Sequence, residues 1–320
     1  MENEKKGFIA RYVKIIVVLA VVAGSSSGIF GSAIEAPSLV IGFWRLTLGL
    51  PFFAVPVLAK QRDTLKAVSK KDLGWSFAAG AFLFAHFFTW FNAVKLTNVA
   101  SAVVLAALHP LVVLLVTIFI LKRHVGRRPI MGIVLALLGG VLIAGLDYQQ
   151  LAAGNFSGDI LAFLAGAFMG LYFAVGSEVR KNVPGPTYVF LVFLACWICF
   201  AAGIIATGTP VLGYSTKDYI LLVGLTLVCQ IGAHAVFNLC FGYVDSLYVS
   251  AWESGESVFA IIMGVLFLGQ IPTSWELIGC AVVVIGLLYY NYYTGLAERE
   301  EAQMAADKEA ALHEKAGDRS

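Results

Sequence analysis

The sequence predicts an all-α membrane protein whose ten transmembrane helices form two inverted five-helix repeats. Three observations carry this prediction. Hydrophobic residues make up 59% of the 320-residue chain and charged residues only 13%, against about 25% charged residues in soluble proteins. Mean hydropathy is +0.84. The apolar residues fall into ten runs, each near the ~20 residues that cross a bilayer as a helix. The second half also repeats the first, with the charge of its connecting loops removed.

In order, the expected spans are Lys14–Ile34, Ser38–Ala59, Leu73–Val94, Val99–Leu121, Pro129–Leu146, Gly158–Glu178, Thr187–Ala206, Asp218–Cys240, Ser246–Leu268 and Trp275–Thr294. Turn chemistry separates them: EAPS, NVPGP, TGTPVLGYSTKD and GQIPTS. The amino terminus is similar to a signal peptide, yet no small-residue cleavage site ends its apolar run, so it is read as the first span. This divides the chain into a cytoplasmic amino terminus (1–13), a first repeat (14–146), an external linker (147–157), a second repeat (158–294) and a charged tail (295–320). The tail is alanine-rich and free of aromatics, and is expected to be a frayed helix. The five cysteines all lie in apolar runs. Cys196 and Cys199 spell C-x-x-C without the second pair or histidines of a zinc site, so they are read as packed thiols.

Basic residues set the direction. Lys5, Lys6, Arg11 and Lys14 precede the first span, and Lys60, Arg62, Lys66, Lys70 and Lys71 follow the second. Lys122, Arg123, Arg127 and Arg128 follow the fourth, and Arg180 and Lys181 the sixth. The opposite side carries only Lys95 and Lys217. Under the positive-inside rule both termini are expected in the cytoplasm of a cell whose inner membrane holds the chain.

The repeat shows in short matches. FNAV at Phe91 recurs as FNLC at Phe237, 146 residues on, while Gly132 and Gly139 recur as Gly279 and Gly286 at an offset of 147. Five crossings per copy force the second to insert upside down. The loops agree, because KQRDTLKAVSKKD corresponds to TGTPVLGYSTKD and KRHVGRR to GQIPTSW. Inverted repeats recur in secondary transporters, where substrate binds near mid-membrane between the halves.

Several stretches carry a family likeness: FWRLTLGLPF, LHPLVVLLVTIFILKR, MGIVLALLGGVLIAG and ESVFAIIMGVLFLGQIPTSWELIGCAVVVIGLL. Over Lys14 to about Thr294 the chain resembles the EamA-type transporters of the drug/metabolite transporter superfamily. The resemblance implies ten helices, an inverted repeat and transport of a small organic molecule. Members usually carry a glutamate-proline pair in the ninth span; here Glu256 is followed by Ser257. They also carry an acid after each half's apolar run, where this chain has Lys122–Arg123 and Gln270, so no role of those acids carries over.

The candidate site residues are ionisable or aromatic groups at membrane depth, which persist only with a partner, a cavity or a function. At 1.5 Å per residue, Glu253 lies roughly 10 Å and Glu256 roughly 15 Å along the ninth span. His109 lies at a similar depth in the fourth, and the repeat offset maps it onto Glu256 or one residue short. Pro110 would loosen the helix beside it. Glu253 and Glu256 share a helical face, and two close carboxylates away from water suit proton binding or a substrate ammonium. Trp252 and Ser257 flank them, and Gly255 gives room beside them. His86 has Trp90 one turn on, while His234 is read as a packed core histidine. Arg45, roughly 10 Å from the outer surface, either snorkels there with help from Glu35 or holds a substrate carboxylate. Tyr172 and Tyr248 could line the cavity with Trp44, Trp90 and Trp252. The small-residue pairs Gly24/Gly28 and Gly166/Gly170 allow close helix approach.

Together these features point to a transporter of a small polar metabolite, amino acids and amines first, working by alternating access with or without a proton. A multidrug exporter or channel-like permease is the alternative, although no helix offers a continuous polar stripe. A membrane-embedded enzyme ranks last, for want of a catalytic motif. No cofactor, metal or nucleic-acid partner is expected, and no nucleotide-binding loop is present. The expected partners are a small-molecule substrate, protons and the lipid bilayer.

Overall fold

The structure, a computed structural model, describes residues 2–97, 102, 105–143, 156–268 and 271–317. Its described elements are helical. Seven helices are long and apolar enough to cross a membrane by themselves: Ala10–Ala33, Ser38–Lys60, Lys70–Leu96, Phe156–Val179, Gly185–Thr207, Thr216–Cys240 and Ser274–Ala297. These are the expected first, second, third, sixth, seventh, eighth and tenth spans. The fourth is described as His109–Leu115 continued by a π-helical segment, Val116–Ile120. The fifth is Arg127–Ile143. Residues 98–101, 103–104 and 144–155, which include most of the expected linker, lie outside the described set.

Two expectations of continuous helix are corrected. The first span turns at Ser25–Ser26, between Glu2–Gly24 and Ser27–Ala33. Both serine hydroxyls donate back to carbonyls of the preceding turn, Val22 and Ala23, offering the backbone an alternative to the helical ladder. The ninth span breaks into Ser246–Glu253 and Glu256–Leu268, with Ser254 and Gly255 between them. At the break the bonds tighten to three-residue spacing, Gly255 N–H to Trp252 O at 2.9 Å and Val258 N–H to Gly255 O at 3.0 Å. Serine and glycine have low helix propensity, so the break falls where the helix is intrinsically weakest. The tail departs less from expectation, since the tenth helix continues unbroken from Ser274 to Gly317.

Packing follows the repeat. The third span lies against the sixth and seventh, and the eighth against the first and second. The fourth meets the sixth, and the ninth meets the first. The fifth and tenth pack on each other, as do the fourth and ninth. Exchanging the halves therefore maps each contact onto another. Gly139 abuts Gly279, and Gly132 abuts Tyr290 while Gly286 reaches back to Gly132, so residue numbers rise along one helix as they fall along the other. That is the antiparallel crossing an inverted repeat requires. Spans three and eight even begin alike: the hydroxyls of Ser69 and Ser215 accept the N–H of Asp72 and Asp218, the same N-cap at an offset of 146 residues.

At the end carrying the basic clusters, Arg123 pairs with Glu178 at 2.6 Å and approaches Asp245 at 3.8 Å, tying spans four, six and nine. Lys122 precedes it in the left-handed conformation (φ 53°), while Arg123 N–H caps Thr117 O at 3.0 Å. At the other end Lys95 donates to Ala36 O at 2.6 Å and Asp218 accepts Glu35 N–H at 2.9 Å.

Candidate substrate site

The interruptions meet in one place. The turns at Ser25–Ser26, Ala107–Leu108 and Ser254–Gly255 surround a central cavity of about 60 Å³, lined among others by Gly24, Ser27, Ala106 and Ala107, and Ser254 and Ser257. At the 147-residue offset, Ala107–Leu108 falls on Ser254–Gly255 and His109 on Glu256. Each of these two residues starts the helical segment after its break. Gly166 and Gly170 of the sixth span seat the fourth against them: a Cβ on either would strike Ala106 O at 2.5 Å or Val112 Cβ at 2.7 Å. The Gly24/Gly28 pair acts differently. Gly28 faces open space, and Gly24 lines the cavity.

Five of the nine candidate residues line this cavity: His86, Trp90, His109, Glu253 and Glu256. His109 shares a hydrogen bond from Nδ1 with Ser250 Oγ at 2.6 Å, and its Nε2 lies 3.5 Å from Glu253 Oε2. That oxygen has no hydrogen-bond partner among the described residues, so the contact is a close approach and not a hydrogen bond. His86 Nδ1 donates to Ala165 O at 2.9 Å. A carbonyl only accepts, so the neutral ring keeps Nε2 free as an acceptor. Glu256 is partly exposed and makes no hydrogen bond or close ion pair among the described residues. As the first residue of its segment it lies beside the unpaired backbone N–H groups of that helix start.

The other four stand back from the cavity. Trp252 and Tyr248 pack toward the tenth span, the Tyr248 ring 6.3 Å from Tyr290. Tyr172 is fully buried, 5.4 Å from Phe173 between ring centroids and 6.4 Å from His234. Arg45 corrects one expectation outright. It does not snorkel, being 0% exposed, because its helix face turns toward spans three and eight. There Nε donates to Gln230 Oε1 at 2.5 Å and the guanidinium covers Phe87 at 4.0 Å. Trp44 is also spoken for, donating to Val211 O at 2.8 Å.

The structure adds residues that sequence reasoning passed over. His234, read as core packing, lines the cavity together with Ser27, Met169 and Phe237, and its ring lies 6.1 Å from His86. Ser250 is the hydrogen-bond partner of His109. Gln230 and His234 both sit in a ten-residue π-helical stretch, Thr226–Ala235, a rare geometry frequent at functional sites. The signal that could have found them is the spacing Thr226, Gln230, His234, a polar stripe at four-residue intervals in an otherwise apolar span. No group of three or more metal-ligating side chains with suitable geometry occurs among the described residues. Two carboxylates, three histidines and several hydroxyls around a small cavity can exchange protons and hold a polar or cationic group.

Comparison with known proteins agrees with this architecture. The model of the EamA-like transporter family matches twice, over residues 12–145 and 156–292, one copy on each half. A Bacillus subtilis (strain 168) protein named "Uncharacterized transporter YxxF" is 23% identical over 279 residues, covering 85% of this chain and 87% of its own. A solved crystal structure matches with a TM-score of 0.72 at 20% identity, covering 90% of this chain and 98% of that one, a likeness that speaks for fold alone. With two matched repeats spanning most of its length, the chain belongs to the EamA-like transporter family and is a multi-pass membrane transporter, not an enzyme.

Proposed function

We propose that the protein is a secondary transporter that moves a small polar metabolite, an amino acid, amine or related compound, across the inner membrane by alternating access. Glu256 and His109 contact substrate or proton, Glu253 backs His109, and His86 and Trp90 complete the wall. The observation that carries the reading is the meeting of three helix interruptions at a cavity lined by ionisable side chains. Discontinuous helices at the repeat interface are where inverted-repeat carriers bind substrate. The basic clusters at one end support cytoplasmic termini.

A volume of about 60 Å³ is far below the ~300–1,000 Å³ of ordinary ligand pockets. Such a cavity suits a closed stage of a cycle that widens toward one side at a time, and it speaks against an open channel. The test is solute counterflow in proteoliposomes over a panel of amino acids and amines, wild type beside Glu256→Gln, with and without a pH gradient. Saturable exchange lost in the variant is the expected result. Flux that neither saturates nor depends on Glu256 would sink the reading. A flux indifferent to the pH gradient would assign Glu256 to substrate rather than proton.

A further inference from the structure

Behind the cavity wall lies a group of buried donors with nothing to donate to. Arg45 and Gln230 are both 0% exposed. Their mutual bond engages Arg45 Nε and the Gln230 carbonyl oxygen, and this fixes the amide orientation, since the guanidinium can only donate. Arg45 Nη1 and Nη2 and Gln230 Nε2 are then left without hydrogen-bond partners among the described residues. All three are donors, one group among them is cationic, and no acceptor serves any of them. A buried cation left uncompensated is strongly destabilising, and an orphaned buried donor is rare enough to require an explanation.

The arrangement is not imposed by the fold. At the 147-residue offset Arg45 corresponds to Val192, and at the 146-residue offset of spans three and eight Gln230 corresponds to Phe84, so the other half carries apolar residues at both positions. Nor is the pair remote from the cavity. The guanidinium rests on Phe87, whose ring lies 4.9 Å from that of His234 and 5.3 Å from that of His86. Both histidines line the cavity. His234 Nδ1 is itself a buried atom without a hydrogen-bond partner among the described residues. Phe87 therefore lies between the donor group and the two cavity histidines.

We propose that Arg45 and Gln230 form an anion subsite that takes a planar oxyanion, a carboxylate, of the transported molecule. This rests on the transport reading above and adds a second pole to it, opposite in charge to the Glu256 pole. A carboxylate supplies acceptors to both guanidinium Nη atoms in a forked pair and to the Gln230 amide, satisfying all three orphans with one group.

The test is binding to purified protein, followed by thermal stabilisation and titration calorimetry. The probes are amino acids, each beside its decarboxylated amine and its deaminated acid. Wild type is expected to bind at least one carboxylate-bearing set. Gln230→Glu places a carboxylate against Arg45, so that variant is expected to melt higher than wild type, to lose affinity for the carboxylate-bearing probes tenfold or more, and to keep its affinity for the amines. Arg45→Gln should lose the same probes without the gain in stability. A merely structural Arg45–Gln230 bond predicts no selective loss. The proposal is overturned if no carboxylate stabilises wild type, or if Gln230→Glu binds carboxylates as well as wild type. Failure of the transport reading would appear separately, as absent counterflow in liposomes whatever the binding result.

Discussion

Replacing Gly139 by alanine tests the antiparallel crossing of the fifth and tenth helices. A Cβ at Gly139 would sit 2.5 Å from Val283 N, 2.7 Å from Val283 Cγ2 and 2.8 Å from Gly279 O. Two of these three atoms are backbone, so no rotamer relieves them. Restoring ordinary contact near 3.5 Å requires the helices to part by about 1 Å, which forfeits a quarter to a half of each dispersion contact along the seam. Overpacking of this kind costs about 1–3 kcal/mol. The adjacent Gly140 is an internal control, since its Cβ would meet nothing within 4 Å and alanine there gains up to about 1 kcal/mol of helix propensity. The two variants add the same methyl group one residue apart and should differ by about 2–4 kcal/mol. Thermal unfolding in detergent, read by loss of the monodisperse size-exclusion peak, should place Gly139→Ala below wild type and Gly140→Ala at or above it. If Gly139→Ala melts with Gly140→Ala, the crossing described here is wrong.

Three further expectations concern the ends and the wall of the cavity. Lys122→Gly should raise stability by about 1 kcal/mol, because Lys122 holds a left-handed conformation that costs a residue with a Cβ about 1–2 kcal/mol; an unchanged melting point would count against it. Ser250→Ala removes the only hydrogen-bond partner of His109 Nδ1 among the described residues and should lower stability by about 1–3 kcal/mol, with Ser250→Thr restoring most of it. Glu178→Gln weakens the half-exposed pair with Arg123, a bond worth about 1 kcal/mol or less, so stability should barely move. Its effect should appear in gating instead, as faster labelling, from the basic side, of a cysteine introduced at Ser257 in a cysteine-free background; equal labelling rates would remove the pair from the gate.

Much of this architecture was legible because hydrophobicity and positive charge are properties of runs, and runs survive the loss of detail in a single sequence. The repeat was visible in Gly132, Gly139, Gly279 and Gly286 because close crossings admit only the smallest residue, whatever else varies. Glu256, Glu253 and His109 stood out for the opposite reason, since an ionisable group in an apolar run is costly enough to need a cause. The breaks were harder to see. Ser254–Gly255 is weak for helix but contains no proline, and Ala107–Leu108 favours helix with only the nearby Pro110 to signal a break, so the exact turns emerge only in the tertiary setting. Arg45 was misread along one of its two branches because depth along a helix does not specify direction around it. Snorkelling and full burial begin at the same Cα, and the choice depends on Gln230, contributed by a helix 185 residues away. A lone glutamine in an apolar span carries little signal until its partner is known.

The two halves share a backbone plan and differ in chemistry. Spans four and nine break at the same offset, yet His109 begins one new segment and Glu256 the other, while Arg45 and Gln230 have only the apolar Val192 and Phe84 as counterparts. A symmetric scaffold gives two conformations of similar backbone energy, one open to each side, because exchanging the shapes of the halves converts one into the other. Asymmetric side chains then decide how that exchange depends on ligand. On the proposed reading, a molecule that meets Glu256 with one group and the Arg45–Gln230 pair with another draws together polar groups contributed by spans two, eight and nine. A ligand shifts such an equilibrium only through its differential affinity for the two states. The ends differ likewise, with Arg123, Glu178 and Asp245 closing one by charge, and Lys95 and Asp218 closing the other through single bonds to backbone. Charge–charge closure is screened by salt and single hydrogen bonds much less so, so raising ionic strength should favour opening at the basic end. Cysteine labelling from each side at low and high salt would show this, and equal salt dependence at both ends would contradict it.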